Sequence, residues 1–430
     1  MSIEDRIKLK RENQEDRFKK FKLKSNPFPK SGTANVNESS DLTKFLLPID
    51  EHIQNKIADY VADSLYSGDD NDHKLICTIT GDYGTGKTQL LLYAKWLIQN
   101  EPKKTYVIYI NNPQTKLSEL IGSIIESIGH EQFKKFLWDQ IIKIIKSNKN
   151  GFKDTLVEFT TTNIITLDFD TDNKNNPFST ENEANHKAFL QAFLNQINNK
   201  TKQKLFNDTL KNIILKILSE ENDNDNVIAD YFYNLVSEDF GISKTWETIT
   251  SGSASYLDNK VVKILNAIIN IIQQQGFERF YLLVDEFEDI TSGRLTKKEV
   301  DNYSHNLRTL IDKERRWCLL LAMTTDALKD LKSISPPLVD RLTDREIKIE
   351  RLSNNQAKQI IINYLNLARE ENSESLYPFS DDVIQYLNSN LKGLPRLILR
   401  RANFLLERAT DLLNNDELIT REFAEYHLQN

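Results

Sequence analysis

The sequence predicts a three-layer α/β fold: a parallel sheet of five strands, a large helical insertion and a helical lid at the C-terminal side. Three observations predict it. Short apolar runs of strand length alternate with helix-length amphipathic segments. A glycine-rich loop lies directly between the first apolar run and a helix. A later run ends in two adjacent carboxylates.

The elements follow in order. Helical spacing covers 41–66, with Leu46, Ile49, Ile53, Ile57, Tyr60 and Val61 on one face. Lys74–Thr80 (KLICTIT) reads as a buried strand, and Thr88–Gln99 as the amphipathic helix behind the glycine-rich loop. Thr105–Ile110 (TYVIYI) is a second strand, closed by Asn111-Asn112-Pro113. From 114 to 278 the patterns are helical, at 117–128, 132–146, 186–198, 203–218 and 255–275. Asn/Asp/Ser/Thr-rich stretches such as 167–185 and 219–226 separate them as loops. Phe280–Val284 is a third strand, 297–312 a helix, Trp317–Met323 a fourth strand and Glu346–Ile349 a short fifth. The rest is helical, at 353–370, 381–389, 395–413 and 420–428, and Ser353 with Gln356 forms a capping-box pattern at the first of these starts.

Composition removes several classes. The chain has 430 residues, with Lys+Arg 56 against Asp+Glu 63, a net charge of −7. A chain this acidic is no histone-like coat, so any nucleic-acid contact must come from a local patch. One such patch is Arg17, Lys19, Lys20, Lys22 and Lys24, in a charged arm over 1–30. It reads as a solvated face or as a nucleic-acid or partner contact. Asn26-Pro27-Phe28-Pro29 breaks any helix there. No apolar run approaches the roughly 18 residues of a membrane span, and the charged N-terminus has no signal-peptide core. Two cysteines, Cys77 and Cys318, make no disulfide scaffold and no CxxC-type zinc site, which leads to the expectation of a reducing cytoplasm. The six histidines show no metal-ligand spacing.

Gly81-Asp82-Tyr83-Gly84-Thr85-Gly86-Lys87-Thr88 fits G-x-x-x-x-G-K-[ST]. Glycines let the backbone curl so that its N–H groups face phosphate oxygens, and the helix start adds a favourable dipole. Lys87 is placed to reach β- and γ-phosphates, and the Thr88 hydroxyl to ligate Mg²⁺. Asp285 and Glu286 end the third strand, the end at which ligands bind in parallel α/β sheets. Asp285 is assigned to the Mg²⁺ water shell and Glu286 to orienting the attacking water. A solvated acidic turn is the competing reading, since Glu288 and Asp289 follow.

The order strand–phosphate loop–helix, strand, strand–Asp-Glu, strand–Thr, strand, helical tail resembles an AAA+ ATPase over about 74–113, 279–350 and the tail. That resemblance divides the chain into the arm 1–30, a nucleotide-binding domain of 31–129 and 256–350, an insertion of 130–255 and a lid of 351–430. It implies Mg²⁺-dependent ATP hydrolysis by an oligomer. It also implies roles for further residues. Asn111 would restrain the catalytic glutamate. Thr324 or Thr325 would be the sensor at the fourth strand. Arg341, with Arg345 in reserve, would be the arginine finger. Gly393-Leu394-Pro395-Arg396 is similar to the G-x-P-R motif of the origin-recognition-like branch and makes Arg396 a second sensor.

This branch implies action on or near DNA in replication, transposition or phage defence, with protein partners. The large helical insertion and the lack of a legible winged helix resemble ATP-binding subunits of bacterial defence islands. Two departures weigh on the DNA reading. No winged-helix domain is legible after the lid, and 114–278 far exceeds a plain connection. An alternative is a STAND-type signalling switch, in which ATP controls assembly and the insertion senses a partner.

Overall fold

The structure is a computed structural model that describes residues 17–31, 50–66, 75–113, 116–162, 197, 199–237, 254–291, 295–313 and 317–429. Positions 41–49 of the first expected helix, and nearly all of the one expected at 186–198, lie outside the described residues.

The five strands are β1 (Ile76–Gly81), β2 (Thr105–Ile110), β3 (Arg279–Val284), β4 (Trp317–Met323) and β5 (Glu346–Ile349). They form one sheet in the order β2-β3-β4-β1-β5. β1 runs parallel to β5, and β2 parallel to β3. Every residue of β1 and β4 is buried, and β3 is buried from Phe280 onward. Central parallel strands are covered on both faces, so they read as unbroken apolar runs. At the sheet edge, β2 is fully buried only at Ile108 and Ile110.

Tertiary contacts divide the chain into two compact units. One is Met1–Glu101 with Asp285–Glu288 and Leu320–Asn430; the other is Pro102–Val284 with Asp289–Leu319. The first unit contains the lid helices Asn354–Ala368, Asp381–Asn390, Pro395–Leu412 and Arg421–Gln429. The capping box forms at the first of these: the Ser353 N–H donates to Gln356 Oε1 at 2.9 Å, and the Gln356 N–H to Ser353 Oγ at 3.4 Å.

Residues 17–30 correct the expectation of a solvated arm. Phe18, Phe21, Leu23 and Phe28 are 1–4% exposed and belong to the lid core with Ile361, Leu365, Phe379 and Leu406. Phe28 stacks on Tyr364 at 5.9 Å between centroids and meets Phe379 edge-on at 5.8 Å. Two of the basic residues, Arg17 and Lys20, serve the same docking, while Lys19, Lys22 and Lys24 are exposed. Lys20 Nζ donates to the carbonyls of Thr410 (2.7 Å) and Leu413 (2.5 Å). These lie at the C-terminal end of helix Pro395–Leu412, where a cation offsets unpaired carbonyls. Arg17 pairs with Glu407, and Asn403 Nδ2 donates to the Phe28 carbonyl at 2.6 Å. The segment is therefore a strap built into the lid.

The second unit joins β2 and β3 to the helices Leu117–Ile128, His130–Lys146, Phe152–Thr162, Lys200–Glu220, Asn226–Val236 and Ala254–Gln274. Its core includes Phe133, Trp138, Phe206 and Phe232, each fully buried. Asp225 caps helix Asn226–Val236, accepting from the N–H groups of Val227 (3.0 Å) and Ile228 (3.3 Å), and it pairs with Lys260 at 3.2 Å. Burial works against its charge, but Lys260 and the two amides hold its carboxyl below the usual range.

Among the described residues no helix is long and apolar enough to cross a membrane. Cys77 and Cys318 form no disulfide and are fully buried. Burial pushes the Cys77 thiol up to about 12, against the pull of Arg345 and Lys56. It stays a thiol at neutral pH and is chemically quiet.

Candidate nucleotide-binding site

The phosphate loop lies between the end of β1 at Gly81 and the helix Lys87–Asn100. Close approach requires the first glycine. A Cβ on Gly81 would sit 2.7 Å from Thr85 Oγ1 and 2.9 Å from the Ile349 carbonyl oxygen. Gly84 (φ +82°) and Gly86 (φ +104°) turn the loop through the left-handed region. The Thr85 hydroxyl donates to the Asp82 carbonyl at 2.8 Å and braces the loop from within. Gly86 caps the helix without a side-chain hydrogen bond, and nothing lies within 4 Å of where its Cβ would be. No side chain caps the first-turn N–H groups, and an uncapped helix start suits an anion.

Lys87 is 8% exposed, and its Nζ donates to the carbonyls of Gly81 and Asp82 at 3.2 Å each. Burial lowers its pKa, while the carboxylates of Glu288, Asp285, Asp82 and Glu286 pull the other way. A partly desolvated ammonium on long hydrogen bonds is a good receptor for phosphate oxygen.

Asp285, 2% exposed, leaves the end of β3 toward this loop. Thr88 Oγ1 donates to its Oδ2 at 2.5 Å. The two residues that the sequence assigned to Mg²⁺ are thus brought together. A hydroxyl and a carboxylate side by side are hard oxygen donors, and they fit an ion that keeps several waters and shares phosphate oxygens. Among the described residues no group of three or more His, Cys, Asp or Glu could hold a metal alone.

Glu286 is exposed and its φ is +50°, a left-handed backbone that costs a non-glycine residue free energy. Its N–H donates to Asp285 Oδ1 at 2.9 Å. The two adjacent carboxylates are therefore differentiated. Asp285 is buried with both oxygens engaged, and Glu286 is turned outward by its backbone.

The lid reaches the loop. The Arg396 N–H donates to the Gly84 carbonyl at 3.3 Å, and its guanidinium lies 5.2 Å from the centre of the Tyr83 ring. Arg351 is a residue that the sequence reading passed over, because it follows β5 in no recognisable motif. Its Nε donates to Asp82 Oδ2 at 2.7 Å. Gly393 (φ +68°) lets the Gly-Leu-Pro-Arg turn lie on this linker. A Cβ there would be 2.7 Å from the Leu352 carbonyl oxygen, and the Leu352 N–H donates to the Gly393 carbonyl at 2.9 Å.

The other expected residues are placed as follows. The Thr324 hydroxyl accepts from the Ala327 N–H at 3.2 Å, so it caps the helix Thr325–Ile334. Arg341 donates to the Pro337 carbonyl at 2.8 Å within the short helix Pro336–Leu342. Arg345 pairs with Asp63 at 2.5 Å and lies over the Tyr60 ring, so the reserve finger has a structural partner. In the second unit, exposed Asn111 accepts from the Tyr109 hydroxyl at 3.4 Å, whereas its neighbour Asn112 donates to Asp289.

Strand order distinguishes the folds that carry such a loop. With β1 between β4 and β5, and helices after β5, the sheet has the order that the resemblance to AAA+ ATPases implies. No protein-family model matches the chain, and no curated protein matches its sequence. Two solved structures are similar in outline. The ORC2 protein of Aeropyrum pernix, in ADPNP–ADP complexes, shares 10% identity over 88% of this chain and 66% of its own, with a TM-score of 0.41. Cdc6p of Pyrobaculum aerophilum shares 12% identity over 86% of this chain and 65% of its own, with a TM-score of 0.36. The chain spans just under two thirds of the length of each.

Proposed function

We propose that this chain is a Mg²⁺-dependent ATPase that works as a homo-oligomer and couples ATP binding and hydrolysis to assembly or remodelling on or near DNA. The observation that carries the ATPase reading is the Thr88–Asp285 hydrogen bond, because it joins the phosphate loop and the acidic strand end into one site. In this reading 31–129 and 256–350 hold the nucleotide, 130–255 engages protein partners, and 351–430 closes over the phosphates. Replication, transposition and phage defence are the settings that the G-x-P-R motif and the insertion support. The choice of ATP over GTP rests on the AAA+ fold.

Each residue has a stated task. The loop amides and Lys87 orient the β- and γ-phosphates. Thr88 and Asp285 hold Mg²⁺, which when bound neutralises charge on the phosphate oxygens. Glu286, exposed beside the site, positions a water and accepts its proton. Arg396 binds phosphate from the lid, and Thr324 Oγ1 retains its proton for donation. Arg341 supplies charge to a neighbouring subunit's site.

Glu286→Gln tests the assignment. The variant keeps the side-chain shape and loses only proton acceptance. Mg·ATP should bind with unchanged affinity, while phosphate release slows roughly 10²-fold or more. Release at the wild-type rate would move the base elsewhere, with Glu288 next in line.

A further inference from the structure

We propose that Tyr83 is a positioning residue for Arg396: its ring holds the guanidinium at the mouth of the phosphate loop. The proposal rests on the nucleotide reading of that loop and extends it to a position whose side chain the motif leaves free. Tyr83 is 65% exposed, so core packing does not account for it. What it touches is the lid arginine, with the guanidinium carbon 5.2 Å from the ring centre. That is cation–π distance.

The stem of Arg396 is fixed independently. Its N–H bonds the Gly84 carbonyl at 3.3 Å. Its Cβ and Cδ lie 3.2 and 3.6 Å from where a Gly84 Cβ would be. With the base of the side chain held and the tip resting on the ring, an otherwise mobile arginine has little rotamer freedom left to lose when it takes up an anion. Asp82, next to Tyr83, is held by Arg351. That pair is 49% and 44% exposed, so its energy is small and its effect is to fix the loop edge on which Tyr83 stands. The Leu352–Gly393 hydrogen bond closes the circuit from Arg351 back to Arg396.

The test is a double-mutant cycle on the full chain, with ATP affinity read by calorimetry in Mg²⁺. Tyr83→Leu should weaken ATP binding about 2–5-fold, the scale of an exposed cation–π contact. Tyr83→Phe keeps the ring face and should bind like wild type. On an Arg396→Ala background Tyr83→Leu should cost nothing further. An equal loss in both backgrounds, or a loss in Tyr83→Phe as large as in Tyr83→Leu, would overturn the proposal.

A second readout needs no nucleotide. The Arg396 Nε–Hε resonance, assigned by its disappearance in Arg396→Ala, should move when Tyr83→Leu removes the ring current. An unmoved resonance would overturn the contact. If the protein bound no ATP at all, the nucleotide reading would fail, and this spectrum would still decide whether the ring holds Arg396.

Discussion

Lys87→Ala is expected to lose Mg·ATP affinity by roughly 10²–10⁴-fold while the fold remains intact. Two charge-assisted hydrogen bonds to phosphate oxygen disappear, each worth about 1.5–3 kcal/mol, and every 1.4 kcal/mol is about tenfold. The structural loss is small. The ammonium's two bonds to Gly81 and Asp82 are both 3.2 Å long, at the weak end of the range. Its burial already disfavours the charged form, so removing it lifts a desolvation cost. Circular dichroism and the thermal midpoint should therefore match wild type while calorimetry shows the loss. Affinity equal to wild type would place the phosphates away from this loop.

The second large effect belongs to Arg341. Arg341→Ala should bind ATP normally and hydrolyse it about 10³–10⁵-fold more slowly, the scale of a guanidinium supplied to transferring phosphoryl oxygens. Within its own chain Arg341 bonds the Pro337 carbonyl, one turn back on the same short helix. Its place just before β5 is the one that the proposed oligomeric reading assigns to a neighbouring subunit's site. Mixing Arg341→Ala with Glu286→Gln should restore part of the activity, because an interface between the two variants can combine an intact glutamate with an intact arginine. A fully active Arg341→Ala would remove the shared site and leave a monomeric ATP switch as the better description.

The sheet was almost entirely legible. Thr105–Ile110, Trp317–Met323 and Glu346–Ile349 lie where the apolar runs put them. Of these, Trp317–Met323 is a central strand whose full burial leaves an unbroken apolar signature, whereas the edge strands Thr105–Ile110 and Glu346–Ile349 are marked by their β-branched and aromatic residues. The phosphate loop was legible for a related reason: Gly81, Gly84 and Gly86 each answer a steric or φ requirement that few other residues meet.

What escaped notice lacks a period. Phe18, Phe21, Leu23 and Phe28 fall at spacings of 3, 2 and 5 among lysines, so neither a helix nor a strand pattern marks them as lid core. The helix Asn226–Val236 (NVIADYFYNLV) is rich in aromatic and β-branched residues, which local propensity assigns to strands. Its capping aspartate and its packing override that preference. Phe152–Thr162 ends in three threonines, poor helix formers that hide it in the same way. Long-range pairs such as Arg351–Asp82 and Arg396–Tyr83 join positions more than 260 apart and leave no trace in local sequence.

The most direct measurement is phosphate release by the wild-type protein in Mg·ATP, taken across a range of protein concentrations. Release should require Mg²⁺, vanish in Lys87→Ala, and rise per subunit with concentration as sites are completed across interfaces. ATP bound at this loop without release above background at any concentration would contradict hydrolysis as the activity of the Lys87–Thr88–Asp285–Glu286 site.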